Sequence, residues 1–420
     1  MRRDPALREA EQRLRRLPDR AAPREAEAAD RAWRVVEAAY AERPAPAGRR
    51  LPGIRLAIVA AIVAVAFAVA LSPAGAAVGR WIEDRLSGDS DTARPAFAGL
   101  PDRGALLALG DRGAWVVHPD GGLQWVGRFS EAGWSPRGRY VIGVRGRLLA
   151  AVTPTGTPRW TLPRRRPLHR PAWSPGDGFR VAYLEAGPAA ARPARGSTAA
   201  GAGPLALRVV AGDGTGDRLV RRSAALVTPA WRPHTGAGPG RTRAGGPYVL
   251  TYAAPSGLIE TADVDTGRRL WGRRSGDHPR ALAWTRDGKR LVALSARGLL
   301  VYDRRGRPLL TKRLPGAEAL ALHPSGLRAA VAVAGRGGAS VLTVRLAPAG
   351  RPRPVVAGLG QVDGLAWSPD GRRLLVASRD TDQWLLVGPR RHVRPLSGVS
   401  GELGAGAGFP RLAGWCCPGG

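Results

Sequence analysis

The sequence predicts an all-β fold, a β-propeller of about seven blades, preceded by a cytoplasmic helical segment and one transmembrane helix. Three observations predict it. The first is a recurring unit, cleanest in Leu365-Ala-Trp-Ser-Pro-Asp-Gly-Arg-Arg-Leu-Leu-Val-Ala-Ser378. An apolar run ends in Trp367, breaks at Ser368-Pro369-Asp370-Gly371 and resumes in Leu374-Leu375-Val376-Ala377. Pro presets φ for the first turn position and Gly supplies positive φ, so the unit reads as strand, tight turn, strand. Weaker copies stand at residues 133–139, 172–178, 283–289 and 322–326. A further copy at 230–234 keeps Trp231, but its turn gives way to a Gly/Pro-rich insertion. One β unit returning every 35–50 residues, roughly, is the signature of propeller blades. The second observation is an uncharged apolar run at 56–78, and the third is a tail at 409–417 that repeats only the first strand of the unit.

Residues 1–53 read as a cytoplasmic helical segment and linker. From Pro23 onward, Ala26, Ala29, Trp33, Val36 and Tyr40 recur at helical spacing and give one modest apolar face. Trp33, Val36 and Tyr40 are a candidate docking face for a cytoplasmic partner; the plainer alternative is a helix lying on the membrane surface. Pro44, Pro46 and Pro52 break the segment. The transmembrane helix is read at 54–78, where about 23 uncharged residues suffice to cross a ~30 Å hydrocarbon layer. Arg43, Arg49, Arg50 and Arg55 precede it, while Arg80 and Arg85 follow, balanced by Glu83 and Asp84. That asymmetry places the N-terminus in the cytoplasm and the bulk of the chain outside. Ala74-Gly-Ala76 resembles a signal-peptidase site, but its lead-in is too long for an ordinary signal peptide, so the expectation is a retained, single-pass anchor in the cell membrane.

A polar stalk at 79–99 leads into the propeller, read at 100–418. Blade 1 shows strands near 105–109, 114–118 and 123–126; the next six blades run at 129–162, 169–222, 226–272, 279–314, 317–357 and 361–397. Ala/Gly/Pro insertions at 187–204 and 235–247 interrupt the third and fourth. The tail at 409–417 is expected to supply the missing inner strand of blade 1, closing the ring and removing its open edges. Residues 96–100 are a competing candidate for that strand.

The Trp-Ser-Pro-Asp-Gly turn with its following aliphatic strand resembles the WD-repeat-like unit of TolB-like propellers, also seen in the propellers of dipeptidyl-peptidase-type enzymes. The resemblance covers about 100–418. A second motif, Ala262-Asp-Val-Asp-Thr-Gly-Arg-Arg-Leu-Trp271 and more weakly Val152-Thr-Pro-Thr-Gly-Thr-Pro-Arg-Trp160, is similar to the repeat of quinoprotein propellers. Both motifs are structural: Gly makes the hairpin turn and Trp packs between blades. They imply an architecture and leave function open. The layout as a whole resembles membrane-anchored actinobacterial propeller proteins that end in Gly-Trp-Cys-Cys.

The net charge is +32, and Lys289 and Lys312 are the only lysines. Such a surface attracts anions. The arginines are nevertheless spread over turns and strands, with no basic helix or aromatic-interleaved stripe, which counts against nucleic acid as a partner. His118, His169, His234, His278, His323 and His392 stand isolated, at turns and strand ends. Asp213, Asp217, Asp263, Asp265, Asp303, Asp380 and Asp382 read as turn caps or partners of arginine. His-Glu-x-x-His, Gly-x-Ser-x-Gly, phosphate-cradling Gly loops and Cys-x-x-Cys are lacking. The expectation is therefore a chain without catalytic, metal-binding or cofactor-binding residues.

Two features are candidates for function. Cys416 and Cys417 are the only cysteines, and an oxidising compartment permits a disulfide between them. Vicinal cysteines also lie over the cofactor in quinoprotein alcohol dehydrogenases. This chain, however, has no asparagine and no Asp/Glu cluster suited to calcium or a quinone, so a structural or redox-sensitive tail lock is the reading. The other feature is Arg379-Asp380-Thr381-Asp382-Gln383-Trp384, non-repeating polar and aromatic groups where other blades have short Gly turns. It is a candidate partner-binding loop, or else a longer hairpin with Trp384 buried between blades. The functional expectation is a non-enzymatic, membrane-anchored scaffold that binds a protein or envelope component. The alternatives are a quinoprotein-like cofactor-binding propeller and a transmembrane sensor signalling through the N-terminal helix.

Overall fold

In the Trp-Ser-Pro-Asp-Gly turn, side chains close what the backbone alone leaves open. The Ser368 hydroxyl lies 2.6 Å from Asp370 Oδ1 and accepts the Arg373 amide at 2.9 Å. Asp370 Oδ1 accepts the Arg372 amide at 2.9 Å. Gly371 takes φ +74, and an added Cβ there would meet the His323 ring of the neighbouring blade. The strand is thus forced to reverse within a few residues, and the same geometry recurs at Thr285, which accepts the Arg290 amide at 3.1 Å.

These turns generate a regular series of strands in the computed structural model, which describes residues 97, 100, 104–176, 179–187, 205–233, 248–403 and 408–417. Blade 1 contains β1 (Ala105–Gly110), β2 (Gly113–Val117) and β3 (Leu123–Gly127). Blade 2 is β4 (Glu131–Trp134), β5 (Val141–Arg145), β6 (Leu148–Val152) and β7 (Pro158–Pro163). Blade 3 is β8 (Leu168–Trp173), β9 (Arg180–Glu185), β10 (Leu205–Ala211) and β11 (Arg218–Ala224). Blade 4 is β12 (Ala230–Trp231), β13 (Val249–Ala253), β14 (Leu258–Asp263) and β15 (Arg269–Arg274). Blade 5 is β16 (Pro279–Trp284), β17 (Arg290–Ser295), β18 (Gly298–Asp303) and β19 (Pro308–Arg313). Blade 6 is β20 (Ala317–Leu322), β21 (Arg328–Val333), β22 (Ala339–Arg345) and β23 (Arg353–Leu359). Blade 7 is β24 (Val362–Trp367), β25 (Leu374–Ser378), β26 (Gln383–Val387) and β27 (Val393–Ser397), followed by the short helix α1 (Val399–Glu402).

The last strand, β28 (Arg411–Cys416), pairs antiparallel with β1, so blade 1 has the order β28-β1-β2-β3 and seven four-stranded sheets result. The tail is therefore the inner strand. Residues 96–100 are not: Phe97 is fully buried and Leu100 nearly so, in the core between blades 7 and 1. The Phe97 ring lies 5.3 Å from that of Trp384. Phe97, placed in the 79–99 stalk by the sequence reading, is a core residue whose large apolar ring packs beside Trp384. The propeller falls within the compact unit at 89–420. The cytoplasmic segment with Trp33, Val36 and Tyr40, the span at 54–78, most of the stalk, and residues 188–204 and 234–247 lie outside the described residues. Among the described residues, no helix is long and apolar enough to cross a membrane.

Strands second from the channel are buried on both faces, because blades stack against both sides of each sheet. Thus β13 and β25 are buried at every position and β9 at all but its first, which explains continuous apolar runs in place of alternation. Tryptophans rivet adjacent blades. On inner strands, Trp231 donates to Ala172 O at 3.0 Å, Trp284 to Thr251 Oγ1 at 3.0 Å, and Trp367 to Ala321 O at 3.2 Å, each crossing to the preceding blade. On outer strands the direction reverses. Trp160 donates to Gly212 O at 2.7 Å and Trp271 to Arg304 O at 3.1 Å, each reaching the next blade. Trp271 lies over Gly306, whose φ is +78 and whose added Cβ would stand 2.6 Å from the indole. The second sequence motif is this joint.

Candidate functional site

The Gly-Trp-Cys-Cys tail occupies the place of a Trp-Ser-Pro turn. Trp415 pairs with Leu106 and Cys416 with Ala105, so Cys416 and Cys417 stand where other blades have Ser and Pro. The two cysteines are joined as a disulfide. Cys416 Sγ is 3.7 Å from Ser135 O and Cys417 Sγ is 3.4 Å from Pro136 O, both on the first turn of blade 2. The bond links neighbours on one chain end and ties the tail to nothing else; strand pairing with β1 holds the seam. These surroundings do not fit a quinone with calcium, because the groups facing the sulfurs are two backbone carbonyls and Gly138, with no carboxylate to balance the charge of the ion. Among the described residues, no three His, Cys, Asp or Glu side chains converge on a point that could hold a metal ion.

At 379–384 the structure shows the second of the two arrangements the sequence left open, a hairpin with Trp384 buried between blades. Arg379 and Asp382 close a tight turn through an Asp382 N–H to Arg379 O bond of 3.0 Å. Gln383 and Trp384 already belong to β26, and Trp384 is completely buried. An indole facing the joint cannot meet a partner. The polar groups are also engaged. Arg379 Nε donates to Asp363 Oδ2 at 2.6 Å, Asp380 accepts the Gln361 amide at 3.1 Å, Asp382 accepts the Ser400 amide at 3.0 Å, and Gln383 donates to Ser397 Oγ at 3.3 Å. The segment braces blade 7.

Asp213, Asp263, Asp265, Asp303, His169 and His323 are engaged in the same way. Asp213, Asp263 and Asp303 accept amides two residues ahead at 2.8–3.0 Å, and Asp265 pairs with Arg218 at 2.5 Å. The amide and hydroxyl of Thr215 hold the Asp213 carboxyl below the usual carboxylate range. His169 Nδ1 lies 3.4 Å from Glu131, and Glu131 also accepts the Arg170 amide at 2.6 Å. His323 sits at the Ser position of blade 6, with Nε2 on Gly371 O at 2.9 Å and Nδ1 on Ser325. Burial holds its imidazole below the ordinary pKa.

One cluster escaped the sequence. The β7–β8 connection, the end of β9 and strands β10 and β11 enclose a groove of about 790 Å³ between blades 2 and 3. Its base is an ion network. Arg164 reaches Glu185 at 3.2 Å and Asp217 at 2.9 Å, while Arg208 reaches Asp217 at 2.6 Å and Glu185 at 3.7 Å. The Tyr183 hydroxyl donates to Asp217 Oδ1 at 2.6 Å. Burial, then the bond to Asp217, pushes the Tyr183 phenol well above its ordinary pKa. Burial alone would lower the two guanidinium pKa values, but hydrogen bonds and charge attraction to the acids outweigh it. Around this neutral base, Arg165, Arg166 and Arg222 also line the groove; all three are exposed, without an ion pair among the described residues. Arg164-Arg165-Arg166 was visible as a run, but only the blade contact brings it to Arg208 and Arg222.

No protein-family model and no curated protein matches the chain. Among solved structures it is similar to Kuenenia stuttgartiensis hydrazine synthase, at 16% identity over 62% of this chain and 76% of that one, with a TM-score of 0.45. It is similar to a chain of the mitotic checkpoint complex, at 16% identity over 73% and 86%, TM-score 0.49. A third likeness is to the β-propeller domain of Myceliophteria thermophila Cps50 (Swd1), at 12% identity over 64% and 86%, TM-score 0.46. With TM-scores below 0.5, none of these likenesses bears on what this chain binds.

Proposed function

We propose that the chain is a non-enzymatic binding scaffold: a propeller held outside the cell membrane by the span at 54–78, presenting a rigid ring to a protein or envelope component. The observation that carries the scaffold reading is how the polar side chains are used. Those at the joints and turns are committed within the ring, as at Arg379, Asp380 and Asp382. Arg165, Arg166 and Arg222 line a concave surface with their donors open to an outside group. A ring braced between blades by Trp160, Trp231, Trp271, Trp284 and Trp367, with an open groove among the described residues, suits recognition. The anchor and its orientation are supported by the uncharged run at 56–78 and the arginines before it.

Gentle purification of the full-length chain from its own membranes, with mass spectrometry of bound material, tests the reading. The chain is expected in the membrane fraction after a salt wash, with a stoichiometric protein or envelope polymer. A chain found free of membranes removes the anchor. A bound cofactor with turnover that disappears on changing one channel residue overturns the scaffold.

A further inference from the structure

We infer that the groove between blades 2 and 3 docks an acidic peptide segment of a partner protein; this rests on the scaffold reading. Charge decides the sign of the ligand. Glu185 and Asp217 are each only 11% exposed at the side chain and are saturated by Arg164, Arg208 and the Tyr183 hydroxyl. They leave nothing to neutralise Arg165, Arg166 and Arg222, so the groove carries an excess of three positive charges, each a planar fork suited to a carboxylate.

The wall decides the kind of ligand. Leu219, 38% exposed, lines the groove together with Ala186 and Ala206. Carboxylates strung along an extended chain, with apolar side chains between them, meet both surfaces. A lone phosphate could engage the same guanidinium forks, but it would leave the apolar wall of Leu219, Ala186 and Ala206 uncovered, whereas a peptide covers both. Single-stranded nucleic acid calls for aromatic platforms, and the lining has no aromatic side chain. The volume, about 790 Å³, is within the usual range of ligand sites.

The test compares three forms of the full-length chain for binding of a fluorescent Glu/Leu-alternating peptide at physiological salt. One is wild type. In the second, Arg165, Arg166 and Arg222 are replaced by Ser. In the third, Arg286, Arg336 and Arg351, exposed on blades 5 and 6, are replaced by Ser, removing the same charge elsewhere. Groove docking predicts at least a tenfold loss in the groove variant and about twofold or less in the control. The rim arginines hold no described partner, so an unchanged thermal transition confirms that the groove variant folds. Equal losses in both variants mean general attraction to a basic surface and overturn the inference. So does absence of binding to wild type, or displacement of the peptide by equimolar inorganic phosphate. A membrane-derived protein partner that binds the groove variant undiminished also overturns the groove while leaving the scaffold reading intact.

Discussion

His323 occupies a position that four other blades fill with Ser or Thr, and it titrates where they do not. Its Nδ1 accepts the Ser325 amide at 3.1 Å and its Nε2–H points to Gly371 O at 2.9 Å, a pattern that suits only the neutral ring. Burial lowers its pKa; Arg328 nearby lowers it further, while the bond to Gly371 and Asp370 raise it without prevailing. The unfolded chain therefore binds this proton more readily than the folded one. Stability contributed by neutral His323 is present above the unfolded value of 6.5 and is lost as pH falls toward the lowered folded value. Urea unfolding at pH 5.5 and 7.5 should show a larger loss for wild type than for His323→Ser. Identical losses would exclude this histidine. Other side chains were harder to judge from sequence. Ser368, Pro369 and Gly371 announced a turn because each has a conformational reason to be there. Trp384 and the acids before it had none that local spacing could reveal, since an Asp that offers itself and an Asp that caps an amide look alike.

At the scale of the element, the outer-strand hairpins are joints, and the indole needs the glycine as much as the reverse. Trp271→Ala should cost about 3–5 kcal/mol by emptying a nearly filled site. Gly306→Ala should cost about 1–3 kcal/mol from its left-handed backbone, plus displacement of the indole. The double variant should lose less than the sum, because the methyl group added at position 306 no longer meets a ring. A double-mutant cycle by urea denaturation measures this; strict additivity would show that the two residues do not act as one joint. The strands themselves were legible from their apolar runs, and the outer-strand motif with its Trp marked the joint. What the sequence withheld was the partner across the joint. Nothing near Trp271 points to Gly306, a full blade further along the chain, since that pairing is created by the stacking of blades.

For the whole molecule, closure rests on β28. Without it, β1 offers a bare edge, and blade 1 loses the strand that carries Trp415. A chain ending at residue 410 should lose its single cooperative transition and scatter light at concentrations where the full chain does not. Adding a peptide of sequence 409–417 should restore the transition in a saturable way. A truncated chain that stays monomeric and equally stable would show that the ring does not depend on this strand. The ring and its closing strand were legible because each blade repeats a local signal, even a degraded one. The basic groove was not, because its charges come from two blades and the arginine count of this chain is high everywhere.

The register of the closing pair carries one more consequence. Ala105 lies opposite Cys416, so the chain enters the ring and leaves it at the same end of two antiparallel neighbours. The disulfide spans adjacent residues and crosses no strand. Tension applied between entry and exit therefore peels β28 from β1 one rung at a time, from Ala105 and Cys416 inward, instead of sliding the strands past each other against all rungs at once. The seam is built to resist heat and solvent through many weak contacts acting together, and to yield to a modest pull.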